Sequence, residues 1–135
     1  MKSFTMKESG PVVLRIAMSL VFLWFGFQQL TDASSWIRLV PEFVTSISGM
    51  SPTTLVHLNG AMEVVLGICL LLGFFTRPAS LILALHMTSI IGAVGYGPTG
   101  VRDFGLALAT LSVFLNGPTM LSIDAYLARK KSPEA

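Results

Sequence analysis

The chain has 135 residues, of which 53% are hydrophobic and 12% charged, with a formal net charge of +2. Soluble domains carry about 25% charged residues, so this balance, with a mean hydropathy of +0.73, marks a membrane protein. The basic residues lie at both ends and in one short turn, with no patch and no aromatic interleaving, which excludes nucleic acid as a partner. The single cysteine, Cys69, excludes an intramolecular disulfide, a two-cysteine redox relay and a Cys-rich metal site.

In chain order, residues 1–10 read as a polar tail and residues 11–30 as a first span. Twenty helical residues reach ~30 Å, one hydrocarbon thickness. Pro11 suits a first helical turn. The apolar run is longer than a signal-peptide core and no small-x-small site closes it, so it is expected to be retained. Arg15 lies roughly 6 Å inside the span, where it either snorkels to lipid phosphates or pairs with an acid. The far end, Trp24 to Gln29, turns from aromatic to polar, as at a membrane interface.

Residues 31–54 hold Trp36, Ile37, Leu39, Val40, Phe43, Val44 and Ile47 at helical spacing, with Pro41 as a break. They read as a broken amphipathic helix on the membrane surface, or as a lid over a pocket between helices. Ser51 and Pro52 open a second span over 55–75. Gly60, Gly67 and Gly73 punctuate it, and small residues let neighbouring helices approach closely. It also carries Glu63 near its middle, where a carboxylate is costly and turns toward the bundle interior. Thr76-Arg77-Pro78 is a tight connection to a third span, 78–94, with His86 near its midpoint. The Gly-rich stretch 92–100 lacks a preceding strand and a Gly-Lys-Ser/Thr, so it is not a phosphate loop. A fourth span runs over 102–116 and stops at Asn116-Gly117-Pro118; its 15 residues make only ~22 Å. Ser122, Ile123 and Asp124 cap a last turn ending in Arg129, Lys130 and Lys131.

The fold class expected is all-α: a single domain over 1–135, a four-transmembrane-helix bundle with an amphipathic surface segment between helices 1 and 2. Four spans put both termini and the 76–78 turn on one side. That side holds Lys2, Lys7, Arg15, Arg77, Arg129, Lys130 and Lys131, seven of the nine basic residues, which predicts cytoplasmic termini.

Glu63 sits ~12 Å below the outer start of its span, and His86 lies within about one turn of that level. Asn59 shares a helix face with Glu63 at i, i+4. Gln28, Asn59, Glu63, His86, Arg102 and Asp103 together outline a polar pocket opening outward, or alternatively a network that only locks helix packing. At the inner rim, Arg15 is expected to pair with Asp124. His57 and His86 differ too much in depth to be a pair of haem ligands, and no metal site is expected.

The stretches LRIAMSLVFLWFGFQQLTD, NGAMEVVLGICLLLGFFTRPAS, RDFGLALATLSVFLNGP and the final SID resemble the DoxX family of bacterial membrane proteins, over roughly residues 13–125. The glutamate on a Gly-rich second helix before Thr-Arg-Pro, and the Arg-Asp opening the fourth, carry the resemblance. It implies a multi-pass protein of the bacterial inner membrane, similar to small subunits of quinone-linked oxidation such as those of thiosulfate:quinone oxidoreductase. It marks Arg15, Glu63, Arg77, Arg102, Asp103 and Asp124. Where the family often has a lysine near the end of the first helix, this chain has Gln28 and Gln29.

The function expected is a redox-associated subunit that holds a quinone or similar apolar carbonyl compound near Glu63, in contact with the bilayer and with a partner subunit or a second copy. No flavin motif, metal cluster or thiol pair is present to make it an oxidoreductase alone, and no residue is assigned as catalytic. The alternatives are a structural or assembly subunit, and a small transporter or proton path using Glu63 and His86.

Overall fold

A computed structural model describes residues 6–131, in which every regular element is helical. Lys2 falls outside the described residues. Helix α1 spans Met6–Thr31, α2 Glu42–Ser48, α3 Pro52–Leu72, α4 Thr76–Val94, α5 Pro98–Asn116 and α6 Ile123–Lys131; two short 3-10 turns, Ala33–Ser35 and Ile37–Leu39, precede α2. Three helices, α1, α3 and α4, are long and apolar enough to cross a membrane. Helix α5 is as long as α4 but less apolar, because Arg102 and Asp103 lie in its first two turns.

Helices α1, α3 and α5 each bury a stripe of residues three or four apart. On α1 the stripe is Arg15, Ser19, Phe22, Gly26 and Gln29; on α3 it is Val56, Gly60, Glu63, Gly67 and Leu70; on α5 it is Gly100, Asp103, Ala107, Thr110 and Val113. Such stripes face a helix neighbour along their whole length. Helix α1 packs mainly on α3 and α4 mainly on α5. Met18, Phe22, Leu70, Leu83, Met87 and Val113 fill the space between the two pairs, and Cys69 packs against this core as an apolar filler.

The outward faces are also apolar: Leu85 is 63% exposed and Leu115 67%. Lipid tails offer helices no hydrophobic drive to associate, so close packing must hold them. The α1–α3 crossing supplies it. A Cβ on Gly26 would stand 2.8 Å from the Gly60 carbonyl oxygen and 2.7 Å from Val64 Cγ2; one on Gly60 would stand 2.9 Å from the Gly26 carbonyl oxygen.

Several boundaries differ from the expected spans. Helix α1 already includes Met6, ahead of the expected start at Pro11: residues 6–8 favour helix, Glu8 suits a helix N-terminus, and the missing N–H of Pro11 forfeits one bond. Helix α3 is shifted three residues upstream. Ser51 caps it by accepting a hydrogen bond from Thr54 N–H at 3.2 Å. Gly73, expected inside the span, ends it with φ +66°, and Phe74 N–H returns to the Cys69 carbonyl at 2.8 Å. Helix α5 starts four residues early, with Pro98 in its first turn, so it reaches ~28 Å rather than ~22 Å.

The segment between α1 and α3 is broken at Pro41, as its sequence predicts, and then forms α2. Its first turn is held by Asp32, which accepts from Ser34 Oγ at 2.6 Å and Ser35 Oγ at 2.5 Å. These bonds, that from Ser34 first, hold the Asp32 carboxyl below the usual carboxylate range. The tightening it gives is therefore complete at neutral pH and fades as pH falls through that lowered pKa.

The expected Arg15–Asp124 ion pair does not form. Both groups reach the same rim, but each has other partners. The buried Arg15 guanidinium donates to the carbonyls of Leu70, Leu71 and Leu121, the latter two at 2.8 and 2.5 Å, and to Thr119 Oγ1 at 3.3 Å. Asp124 accepts from Phe75 N–H at 3.0 Å and Thr76 N–H at 2.8 Å, capping α4, while its own N–H donates to the Gly73 carbonyl at 3.0 Å. Helix termini leave carbonyls and N–H groups without intrahelical partners, and these two charges satisfy them where each also suits the helix dipole. Asp124→Ala should lower stability by about 0.5–2 kcal/mol, the usual loss for an N-cap. A thermal melt in detergent indistinguishable from wild type would mean the carboxylate is no cap.

Candidate ligand cavity

The Gly26–Gly60 contact brings the two backbones together at the level of the site. Gln29, one turn after Gly26 on α1, and Glu63, one turn after Gly60 on the antiparallel α3, face each other across it and come within hydrogen-bonding reach. Gln29 Nε2 donates to Glu63 Oε2 at 2.9 Å. Asn59, one turn from Glu63 on the same face, donates from Nδ2 to Glu63 Oε1 at 3.1 Å and to Gln29 Oε1 at 2.6 Å. The three side chains close a ring. Glu63 is 2% exposed and Gln29 4%.

Helix α4 brings His86 to the same level, as the depth count predicts. His86 Nε2 lies 3.3 Å from Glu63 Oε1. The two are close enough to interact but not aligned, and Nε2 is buried without a hydrogen-bond partner. An orphaned polar nitrogen of this kind calls for an explanation.

These groups lie at one side of a cavity of about 430 Å³, within the range of ligand sites. Asn59, Glu63, His86, Arg102 and Asp103 all line it. The remaining wall is mostly apolar, and Trp36, Leu39, Val40, Phe43 and Val44 of the α1–α3 connection roof it. The lid reading of that segment thus has a cavity beneath it, although Phe43 is also 62% exposed. The Phe25 and Trp36 rings meet edge to face at 5.6 Å, and the Arg102 guanidinium stands 5.4 Å from the Phe25 ring centre. Arg102 is half exposed at the rim. It donates from Nε and Nη2 to one oxygen of the buried Asp103, each at 2.8 Å.

Gln28 is the expected pocket residue that the structure leaves out; Gln29 takes its place. Neighbouring helical residues point 100° apart, and Gln29 continues the Arg15–Phe22 series at steps of seven. That periodicity is the signal that separates the two glutamines. Arg77, at the opposite end, lies against Gly117, where an added Cβ would be 2.7 Å from its Nε. Among the described residues no group of three or more His, Cys, Asp or Glu could hold a metal ion.

The sequence profile of the DoxX family matches residues 10–95, so it includes the glutamine, asparagine, glutamate and histidine of the cavity and stops short of Arg102, Asp103 and Asp124. The inner membrane protein YphA of Escherichia coli strain K12 is 27% identical over 139 residues, covering 92% of this chain and 96% of that protein. No solved structure matches the chain.

Proposed function

The chain belongs to the DoxX family, and from that membership we propose that it is a four-span inner-membrane subunit that holds an apolar carbonyl compound, such as a quinone, in the cavity beside Glu63. The observation that carries this reading is the cavity itself, an apolar slot whose polar groups converge at one place from three helices. A quinone needs a flat apolar slot and a donor near a carbonyl. The second amide hydrogen of Gln29 and the imidazole of His86 are the donors available. An electron-donating partner would act from outside the cavity, since the chain has no thiol pair of its own.

Helix α5 serves as the fourth span in this reading. Phe104, Leu108, Leu111 and Leu115 form its outward face, all exposed, while Asp103 and Thr110 turn inward. The inner membrane location follows the name of the E. coli relative. Among the described residues, six of eight basic residues lie at the end where α1 starts and α6 ends, which argues for cytoplasmic termini and leaves the cavity and its roof toward the outer side.

Quinone extracted from gently purified protein should be near stoichiometric, and Glu63→Gln should lose most of it while remaining folded. Wild-type protein that is folded but free of both quinone and hydroquinone when extracted anaerobically would overturn the ligand reading. A second reading is favoured by the closed Gln29–Asn59–Glu63 ring, in which the side chains satisfy one another: a structural or assembly subunit with a packing network. In that case Glu63→Gln lowers stability with no ligand to lose.

A further inference from the structure

The hydrogen-bonding groups around the cavity are unequal in kind. Glu63 accepts on both oxygens, from Gln29 and from Asn59, and each oxygen keeps further acceptor capacity. Both amide hydrogens of Asn59 are committed, one to Gln29 and one to Glu63, and its Oδ1 accepts no hydrogen bond from the described residues. Asp103 is 3% exposed; both Arg102 donors fall on its Oδ1, leaving Oδ2 without a donor among the described residues. Against these open acceptors stand the second amide hydrogen of Gln29 and the imidazole. A neutral imidazole donates at one nitrogen and accepts at the other, so His86 serves a donor or an acceptor equally.

A quinone carbonyl only accepts, whereas a hydroquinone hydroxyl both donates and accepts. We infer that the cavity prefers the reduced, dihydroxy form of its ligand to the quinone, because its unmatched groups are acceptors. The inference rests on the ligand reading above and adds the redox state that the site selects. An acceptor placed against Asp103 Oδ2 or Asn59 Oδ1 gains nothing and is repelled; a hydroxyl there makes a bond. Tighter binding of the reduced form raises the midpoint potential of the bound couple, by about 30 mV for each tenfold preference in a two-electron couple. Held this way, the ligand is kept as a reduced reservoir and releases its oxidised form readily.

The test is anaerobic titration calorimetry of the purified full chain in detergent, with a short-chain benzoquinone and with the corresponding hydroquinone under excess reductant. The hydroquinone should bind at least tenfold more tightly. Equal affinities, or a tighter quinone, overturn the inference and leave the cavity as a quinone site. No binding of either form overturns the ligand reading together with the inference. Asp103→Asn places an amide donor where an acceptor stood, and should bring the ratio toward one by improving quinone affinity. If that variant does not fold, the wild-type ratio alone decides.

Discussion

Arg15→Ala is expected to be the most damaging single substitution in the described chain. Arg15 is 1% exposed, and its guanidinium ties three backbone carbonyls and the Thr119 hydroxyl into one knot joining α1, the end of α3 and the segment after α5. A buried acceptor left without a donor costs about 1–3 kcal/mol. The Leu70 carbonyl retains the Gly73 N–H and the bonds to Leu71 and Leu121 are part-buried, so each lost bond counts at the low end of that range, and the void left by the buried side chain adds to the loss. Arg15→Lys should recover only part of it. A lysine is a single ammonium, whereas the planar guanidinium reaches partners in fixed, divergent directions. Thermal unfolding in detergent, followed by circular dichroism, checks both. A fully stable Arg15→Ala would show that lipid or water replaces the guanidinium.

The second large effect is expected at Gly26. In Gly26→Val the new Cβ meets the Gly60 carbonyl and Val64 at distances that real Cβ atoms do not show, and Val64 sits on a helix that cannot yield locally. The two helices must part, at about 1–3 kcal/mol for overpacking. The same separation pulls Gln29 away from Glu63, so the ligand proposed for the cavity should be lost along with stability. Gly105→Ala is the control, because nothing lies within 4 Å of its added Cβ. Parallel melts and ligand extraction should show Gly26→Val impaired in both and Gly105→Ala in neither. A Gly26→Val protein that keeps its ligand would mean the crossing does not position the site.

The sequence revealed most where one periodic pattern governs a whole helix. Glu63 and Asn59 share a face by spacing alone, and counting residues from each end of the hairpin places His86 at the level of Glu63. The four long helices were legible for the same reason. What could not be read involved groups without a one-letter code. The sequence pairs Arg15 with Asp124 because it displays acids and not bare carbonyls, yet helix ends offer carbonyls in quantity. The apolar runs start α4 at residue 78 and α5 at residue 102, whereas Asp124 and Gly97-Pro98, from outside those runs, start them at Thr76 and Pro98. Gln28 and Gln29 differ only in phase, and phase near a helix end depends on where the buried stripe lies, which the glycines determine through a contact between two chains of backbone.

The Arg15 knot also orders events during synthesis. Its two most distant partners are 104 and 106 residues later in the chain. At about 5–20 residues per second, several seconds or more separate the insertion of the first helix from the arrival of the groups that complete its guanidinium's coordination. Once α3 is made, the guanidinium can already donate to the Leu70 and Leu71 carbonyls, while the Leu121 carbonyl and the Thr119 hydroxyl reach it last. The segment after α5 therefore completes the knot only when all four long helices have been synthesised.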